Sequence, residues 1–190
     1  ANVARYRVAV IGHTGRGNYG HGLDVVWRDV PNTEVVAVAD PDPEGLAKAV
    51  QRLGTPQAYR EYRTMLAEVK PDLVAVGPRW VDQHRDMVLA AAACGARGIL
   101  LEKPLCRTLA EADEMLAACQ EHGVQLAIAH QTRYSPKIPV IRQLLQSGQL
   151  GRLLAIRGRG KEDHRGGGED LFVLGSHIMD LMNLLAGPPQ

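Results

Sequence analysis

Several classes of protein are excluded by what this sequence lacks. Its 190 residues include three cysteines and one phenylalanine, and aromatics make up 4% of the chain. Cys94, Cys106 and Cys119 are odd in number and lack the paired spacing of a metal site, so neither a disulfide framework nor a bound metal is expected. There is no polybasic tract and no acidic tail, and the formal charge of +1 is spread over interspersed signs. Nucleic acid and membrane surfaces are therefore not expected as partners. No run approaches the ~20 apolar residues of a membrane span. No signal-like segment follows Ala1, which implies a cytoplasmic chain or an exported mature form whose address has been removed.

What is present is an alternation. Apolar runs at 6–11, 34–39, 73–76, 99–102 and 124–129 read as strands. Between them lie amphipathic stretches. The stretch from Gly20 to Val30 sets Leu23, Val26, Trp27 and Val30 on one face. Asp42-Pro43 opens a helix striped by Leu46, Ala49, Val50 and Leu53 and stopped by Gly54. A short helix carries Tyr62, Met65, Leu66 and Val69, and another runs from Val81 to Cys94 before Gly95. The capping box Thr108-Leu109-Ala110-Glu111 starts a helix that reaches Gly123. Strand and helix at this spacing predict an α/β fold, with a doubly wound parallel sheet over residues 1–130. Such sheets bind ligands beyond the carboxyl ends of their strands, where Gly12, Asp40, Gly77-Pro78, Glu102-Lys103-Pro104 and His130 all fall.

After His130 the texture changes. Ser135-Pro136 caps a helix ended by Gly148, residues 153–159 alternate as a strand, and a last helix aligns Leu174, Ile178, Leu181 and Leu185. One strand and one helix cannot cover each other's apolar faces. Residues 131–190 therefore read as the beginning of an incomplete second α/β domain.

The loop Gly12-His13-Thr14-Gly15-Arg16-Gly17 departs from the dinucleotide fingerprint only by Thr14 at the middle glycine; Gly15-Arg16-Gly17-Asn18-Tyr19-Gly20 matches it literally, three residues later. Glycines there let backbone N–H groups approach a pyrophosphate at a helix N-terminus. Asp40 ends the second strand, 28 residues after Gly12, where a carboxylate accepts from an adenosine ribose hydroxyl. The competing reading makes Asp40 a turn cap. Asp42 adds negative charge that disfavours a ribose phosphate, so NAD is expected, with Arg16 keeping NADP open. Lys103, held before Pro104 in a fixed bend, trans or cis, suits a positioned cation at a nicotinamide; the competing reading is a solvent-exposed loop lysine.

The order of glycine loop, Asp40, Tyr62-Arg63-Thr64-Met65-Leu66, Gly77-Pro78 with His84, Glu102-Lys103-Pro104 and Gly175-Ser176-His177-Ile178-Met179-Asp180 resembles the glucose–fructose oxidoreductase and inositol dehydrogenase family (the Gfo/Idh/MocA group). The resemblance implies a Rossmann domain, then an α/β domain with a large open sheet, and hydride transfer between NAD or NADP and a sugar, cyclitol or related polyol. Lys103 matches the family's active-site lysine and His177 its histidine. The expected cofactor set is Gly12, His13, Thr14, Gly15, Arg16, Gly17, Asp40, Gly77, Pro78, His84, Glu102 and Lys103. Arg133, Lys161, Asp163, His164 and Arg165 are expected at substrate hydroxyls, and Trp80 and Tyr134 as packing residues at the cleft or as residues flanking the nicotinamide. A homo-oligomer built through the second-domain sheet is also implied.

Two departures stand out. The aspartate common in the family four residues before its histidine is Val173 here, and the family runs to about twice this length. The chain therefore reads as a fragment or a shortened relative. These departures sustain an alternative, a non-catalytic dinucleotide-binding or regulatory module that has lost its substrate site. His177, between Leu174 and Leu181, also admits a purely structural reading as a core histidine.

Overall fold

The computed structural model describes residues 5–55, 57–159 and 168–188. Short runs, most of them rich in Val, Ile, Leu and Ala, form six parallel strands. They are β1 (Tyr6–Ile11), β2 (Thr33–Ala39), β3 (Gln57–Tyr59), β4 (Leu73–Val76), β5 (Gly98–Leu101) and β6 (Gln125–Ile128). Their order in the sheet is β3-β2-β1-β4-β5-β6. The chain winds outward on one side of β1 and then on the other side from β4, so the order reverses between these two central strands. β3 escaped the sequence reading because three residues are too few to show alternation.

Side-chain alternation sorts the core into two layers. Ala9, Ile11, Ala37, Ala39, Val74 and Val76 face one cluster, while Val10, Val38 and Ala75 face the other. The first cluster is completed by α2 (Tyr62–Val69), α3 (His84–Ala93) and α4 (Leu109–His122), through Met65, Met87, Val88 and Met115. The second is covered by α1 (Pro43–Leu53) and, in place of another helix, by Tyr19 and Trp27.

Local chemistry sets the helix ends as expected. Asp42 accepts from the Gly45 N–H at 2.6 Å, and Gly54 closes α1 at φ 69°. Thr108 accepts from the Glu111 N–H at 3.2 Å.

The helix expected from Gly20 to Val30 does not form. Asn18, Gly20 and Gly22 all have positive φ (55°, 64° and 86°), which a right-handed helix cannot contain, and only a 3₁₀ turn over Val26–Arg28 remains. Periodic apolar residues there signalled burial, and burial is met by a loop.

The chain divides into two compact units, Ala1–Ala129 and His130–Gln190. The second carries α5 (Lys137–Gln146), α6 (Gly168–Val173) and α7 (Gly175–Ala186). The expected strand at 153–159 has no ladder partner among the described residues. It passes close to α7: a Cβ on Gly158 would overlap Ile178 and Met182.

Burial makes a direct comparison possible. Met65 is fully buried and Leu109 is 85% exposed. Met65→Ala is expected to cost about 2–5 kcal/mol in urea unfolding, and Leu109→Ala within about 0.5 kcal/mol.

Candidate functional site

Parallel crossovers return the chain repeatedly to the carboxyl edge of the sheet, and the chemistry-bearing side chains of the first unit collect there. The glycine loop folds back on itself. His13 and Asn18 exchange backbone hydrogen bonds at 3.0 and 2.9 Å, the Gly15 N–H donates to Asn18 Oδ1 at 3.0 Å, and the Arg16 N–H donates to His13 O at 3.0 Å. Gly17 (φ 90°) lies so close to Arg79 that a Cβ would overlap its backbone. Arg16 pairs with Asp82 and lies 5.0 Å over the Trp80 ring. The His13 ring meets Gln83 Oε1 at 2.8 Å. Trp80 and Tyr134, expected as packing residues, are 52% and 77% exposed. That exposure corrects the packing expectation.

Asp40 is fully buried at the end of β2. Its carboxylate accepts from Thr14 Oγ1 at 2.7 Å, Tyr19 Oη at 2.7 Å and the Asp42 N–H at 3.0 Å, and the Thr14 N–H lies 3.1 Å from both oxygens. A carboxylate offers about four lone-pair sites, so this one is saturated from within. Gly45 makes room for the arrangement, because a Cβ there would overlap the Thr14 hydroxyl. The Tyr19 ring rests against Gly12, where a Cβ would overlap it, and beneath the Arg52 guanidinium at 4.8 Å. Burial, then the hydrogen bond to Asp40 and its charge, push the Tyr19 phenol well above its ordinary range, with Arg52 opposing.

The strand β5 delivers Glu102 and Lys103, 1% and 2% exposed, and the Lys103–Pro104 peptide is cis. Lys103 is thus drawn into the fold and is not a solvent-exposed loop residue. Glu102 Oε1 accepts from the Lys103 N–H at 3.0 Å, and Oε2 from the His21 N–H at 3.1 Å. Gly77 packs its backbone on Tyr19 and Ile11. His84, fully buried, sets one ring nitrogen on Pro104 O at 2.9 Å and the other on Pro78 O at 2.7 Å, tying the loops after β4 and β5 together. A cavity of about 200 Å³ opens at this edge between His13, Asp40, Arg60, Tyr62, Arg63 and Gln83.

In the second unit, α7 carries His177 and Asp180 three residues apart, on one helical face. The His130 and His177 rings meet edge to face at 5.4 Å. Asp180 Oδ1 lies 3.5 Å from Arg133 Nη1 and 3.9 Å from His130 Nδ1. His177 is half-buried, with its ring against that of His130 in this polar group. Lys161, Asp163, His164 and Arg165 lie outside the described residues.

The sequence reading passed over Tyr19, although a bulky aromatic inside a glycine loop of an aromatic-poor chain was a signal. It quoted Asp180 within a motif but gave it no partner.

The sheet of a dinucleotide-binding fold is therefore present, and the backbone of its glycine loop bonds largely to the loop itself. The helix N-terminus expected after the loop is absent with its helix. Glu102 holds this loop to β5, so Glu102→Ala leaves two backbone donors without their acceptor. It should lower stability by about 1–3 kcal/mol and speed amide exchange at His21.

The family profile described as "Oxidoreductase family, NAD-binding Rossmann fold" (GFO_IDH_MocA) matches residues 6–130. D-apiose dehydrogenase of Paraburkholderia graminis is 34% identical over 149 residues, covering 78% of this chain and 38% of that protein. Trans-1,2-dihydrobenzene-1,2-diol dehydrogenase of Mus musculus is 27% identical over 183 residues, covering 90% and 54%. The structure of myo-inositol 2-dehydrogenase from Lactobacillus plantarum is similar with a TM-score of 0.79 at 24% identity, covering 96% of this chain and 57% of that one; this likeness concerns the fold. The chain thus spans 38% and 54% of the length of these two curated relatives. With the sheet order, the Glu102-Lys103-Pro104 turn and the profile match in agreement, this chain belongs to the Gfo/Idh/MocA oxidoreductase family.

Proposed function

We propose that this chain carries the cofactor domain, residues 1–130, and the opening of the substrate domain, residues 131–190, of an NAD-dependent dehydrogenase. Its substrate class is sugars, cyclitols and related polyols. The observation that carries the reading is Lys103: an ammonium-bearing side chain 2% exposed at the carboxyl end of β5, its backbone held by Glu102. Bringing a cation in from water is costly, and a lysine at this edge is explained by chemistry more readily than by packing. The names of the curated relatives, dehydrogenases of a pentose and of a cyclic diol, support the same class.

NAD, when bound, supplies the hydride acceptor. Lys103 is assigned the role of a fixed positive charge at a substrate oxygen, stabilising negative charge as the hydroxyl proton leaves. His177 is assigned that proton, because imidazole exchanges protons near neutrality. Asp180 and His130 set the surroundings of His177 from the same unit, in the place of the aspartate missing at Val173. Arg133 is a candidate contact for substrate hydroxyls, together with Lys161, Asp163 and His164. Arg16, the residue that would favour a ribose phosphate, is engaged with Asp82 and Trp80, which supports NAD over NADP.

Exposed apolar side chains of the second unit, among them Leu150, Leu154 and Leu171, support assembly with further copies through this unit. The three thiols form no disulfide, which supports a cytoplasmic setting; among the described residues no helix is long and apolar enough to cross a membrane.

A second reading, a non-catalytic dinucleotide-binding or regulatory module, is favoured by Val173 and by the inward-turned amides of the glycine loop. Nicotinamide reduction across a panel of sugars and cyclitols separates the two. The dehydrogenase reading expects turnover of at least one member, and a loss of about 100-fold or more in kcat for Lys103→Met. NAD binding with no turnover on any member would favour the module.

A further inference from the structure

We propose that Tyr19 is an internal stopper of the nucleotide site: its hydroxyl holds the Asp40 carboxylate that a ribose diol would otherwise engage, and a dinucleotide binds as Tyr19 withdraws. This inference rests on the dinucleotide reading above.

Three observations carry it. The first is the saturation of Asp40. With Thr14 Oγ1 and Tyr19 Oη both at 2.7 Å on Oδ2 and backbone N–H groups on Oδ1, a ribose hydroxyl gains an acceptor only by displacing one of them. Thr14 is anchored twice, through its amide and its hydroxyl, whereas Tyr19 reaches Asp40 through its hydroxyl alone. Tyr19 is the partner held to Asp40 by a single hydrogen bond, and its withdrawal also gives up its packing on Val10, Val38 and Ala75.

The second is space. The cavity beside Asp40 is about 200 Å³, below the roughly 300–1,000 Å³ of a typical ligand pocket. The Tyr19 ring fills the room over Gly12 at the end of β1, the glycine that makes the tight turn into the loop. Gly12 also lines that cavity, so the ring closes off the glycine that borders it.

The third is the loop's capacity to move. Gly15, Gly17, Gly20 and Gly22 all have positive φ, and a Cβ at Gly15 would meet nothing within 4 Å. The loop has no helix to carry with it, since the stretch after Gly20 is turns and one 3₁₀ segment. It is tied to the rest of the edge by Arg16 on Asp82, by His13 on Gln83, by the Arg79 N–H on Gly17 O and by the His21 N–H on Glu102, whose other oxygen accepts from the Lys103 N–H. Withdrawal of the segment that carries His21 therefore acts on the carboxylate that also holds the Lys103 backbone.

The measurement is NAD affinity by isothermal titration of the full chain and its Tyr19→Phe variant. Phenylalanine keeps the ring over Gly12 and under Arg52 while removing the bond to Asp40. Tyr19→Phe is expected to bind NAD about tenfold tighter than wild type, equivalent to about 1.4 kcal/mol. A second readout needs no variant: Tyr19, 8% exposed, is expected to be acetylated by N-acetylimidazole faster when NAD is added, as mapped by mass spectrometry. Equal or weaker binding by Tyr19→Phe, or unchanged or slower acetylation, overturns the stopper while leaving dinucleotide binding in place. Absence of NAD binding by both chains overturns the dinucleotide reading, and the stopper with it.

Discussion

The carboxylate of Asp40 organises the carboxyl edge of this sheet. A buried charge is tolerated only when its acceptor sites are filled, and here they are filled by the loop that follows β1 and by the chain that follows β2. That requirement selects a folded-back loop over a helix after β1. It also places Tyr19 on the second core layer, against Val10, Val38 and Ala75, where a helix would otherwise pack. One ionic group thereby sets the backbone course of the glycine loop and the packing on one face of the sheet.

The same logic runs through the neighbouring contacts. Glu102 is buried and satisfied by two backbone donors from separate segments, and His84 is buried between two carbonyl oxygens from separate loops. Each polar group at the strand ends serves as a tie between loops that the strands themselves do not join. The edge is cross-tied where it holds Lys103 and glycine-rich where it covers Asp40. In the second unit, His130, Arg133, His177 and Asp180 form a separate polar group gathered from the turn over Gln131–Tyr134, the residue before it, and α7. Its composition shows how an imidazole is kept in a polar setting when the residue four positions earlier is Val173.

Much of this was legible from local pattern. Periodicity and caps identify α1, α2, α3 and α4 because Asp42, Thr108, Gly54 and Gly123 act within a few residues of themselves. The positions of Asp40 and Lys103 at strand ends follow from where the apolar runs stop. The stretch from Gly20 to Val30 misled because Leu23 and Trp27 are spaced as in a helix while Gly20 and Gly22 take a conformation that no helix contains. Residues 153–159 misled for a different reason: alternation marks a strand, but a ladder requires a partner that the described residues do not supply.

The sequence by itself determined the parallel α/β architecture, the chain order of the loops and the identity of the residues delivered to the sheet edge, since each depends on interactions short in sequence. Only the tertiary structure decided what Asp40, Glu102 and Tyr19 do there. Asp40 meets Tyr19 across 21 residues and Glu102 meets His21 across 81, and partners so distant are chosen by the closing of the sheet and not by any local preference of the chain.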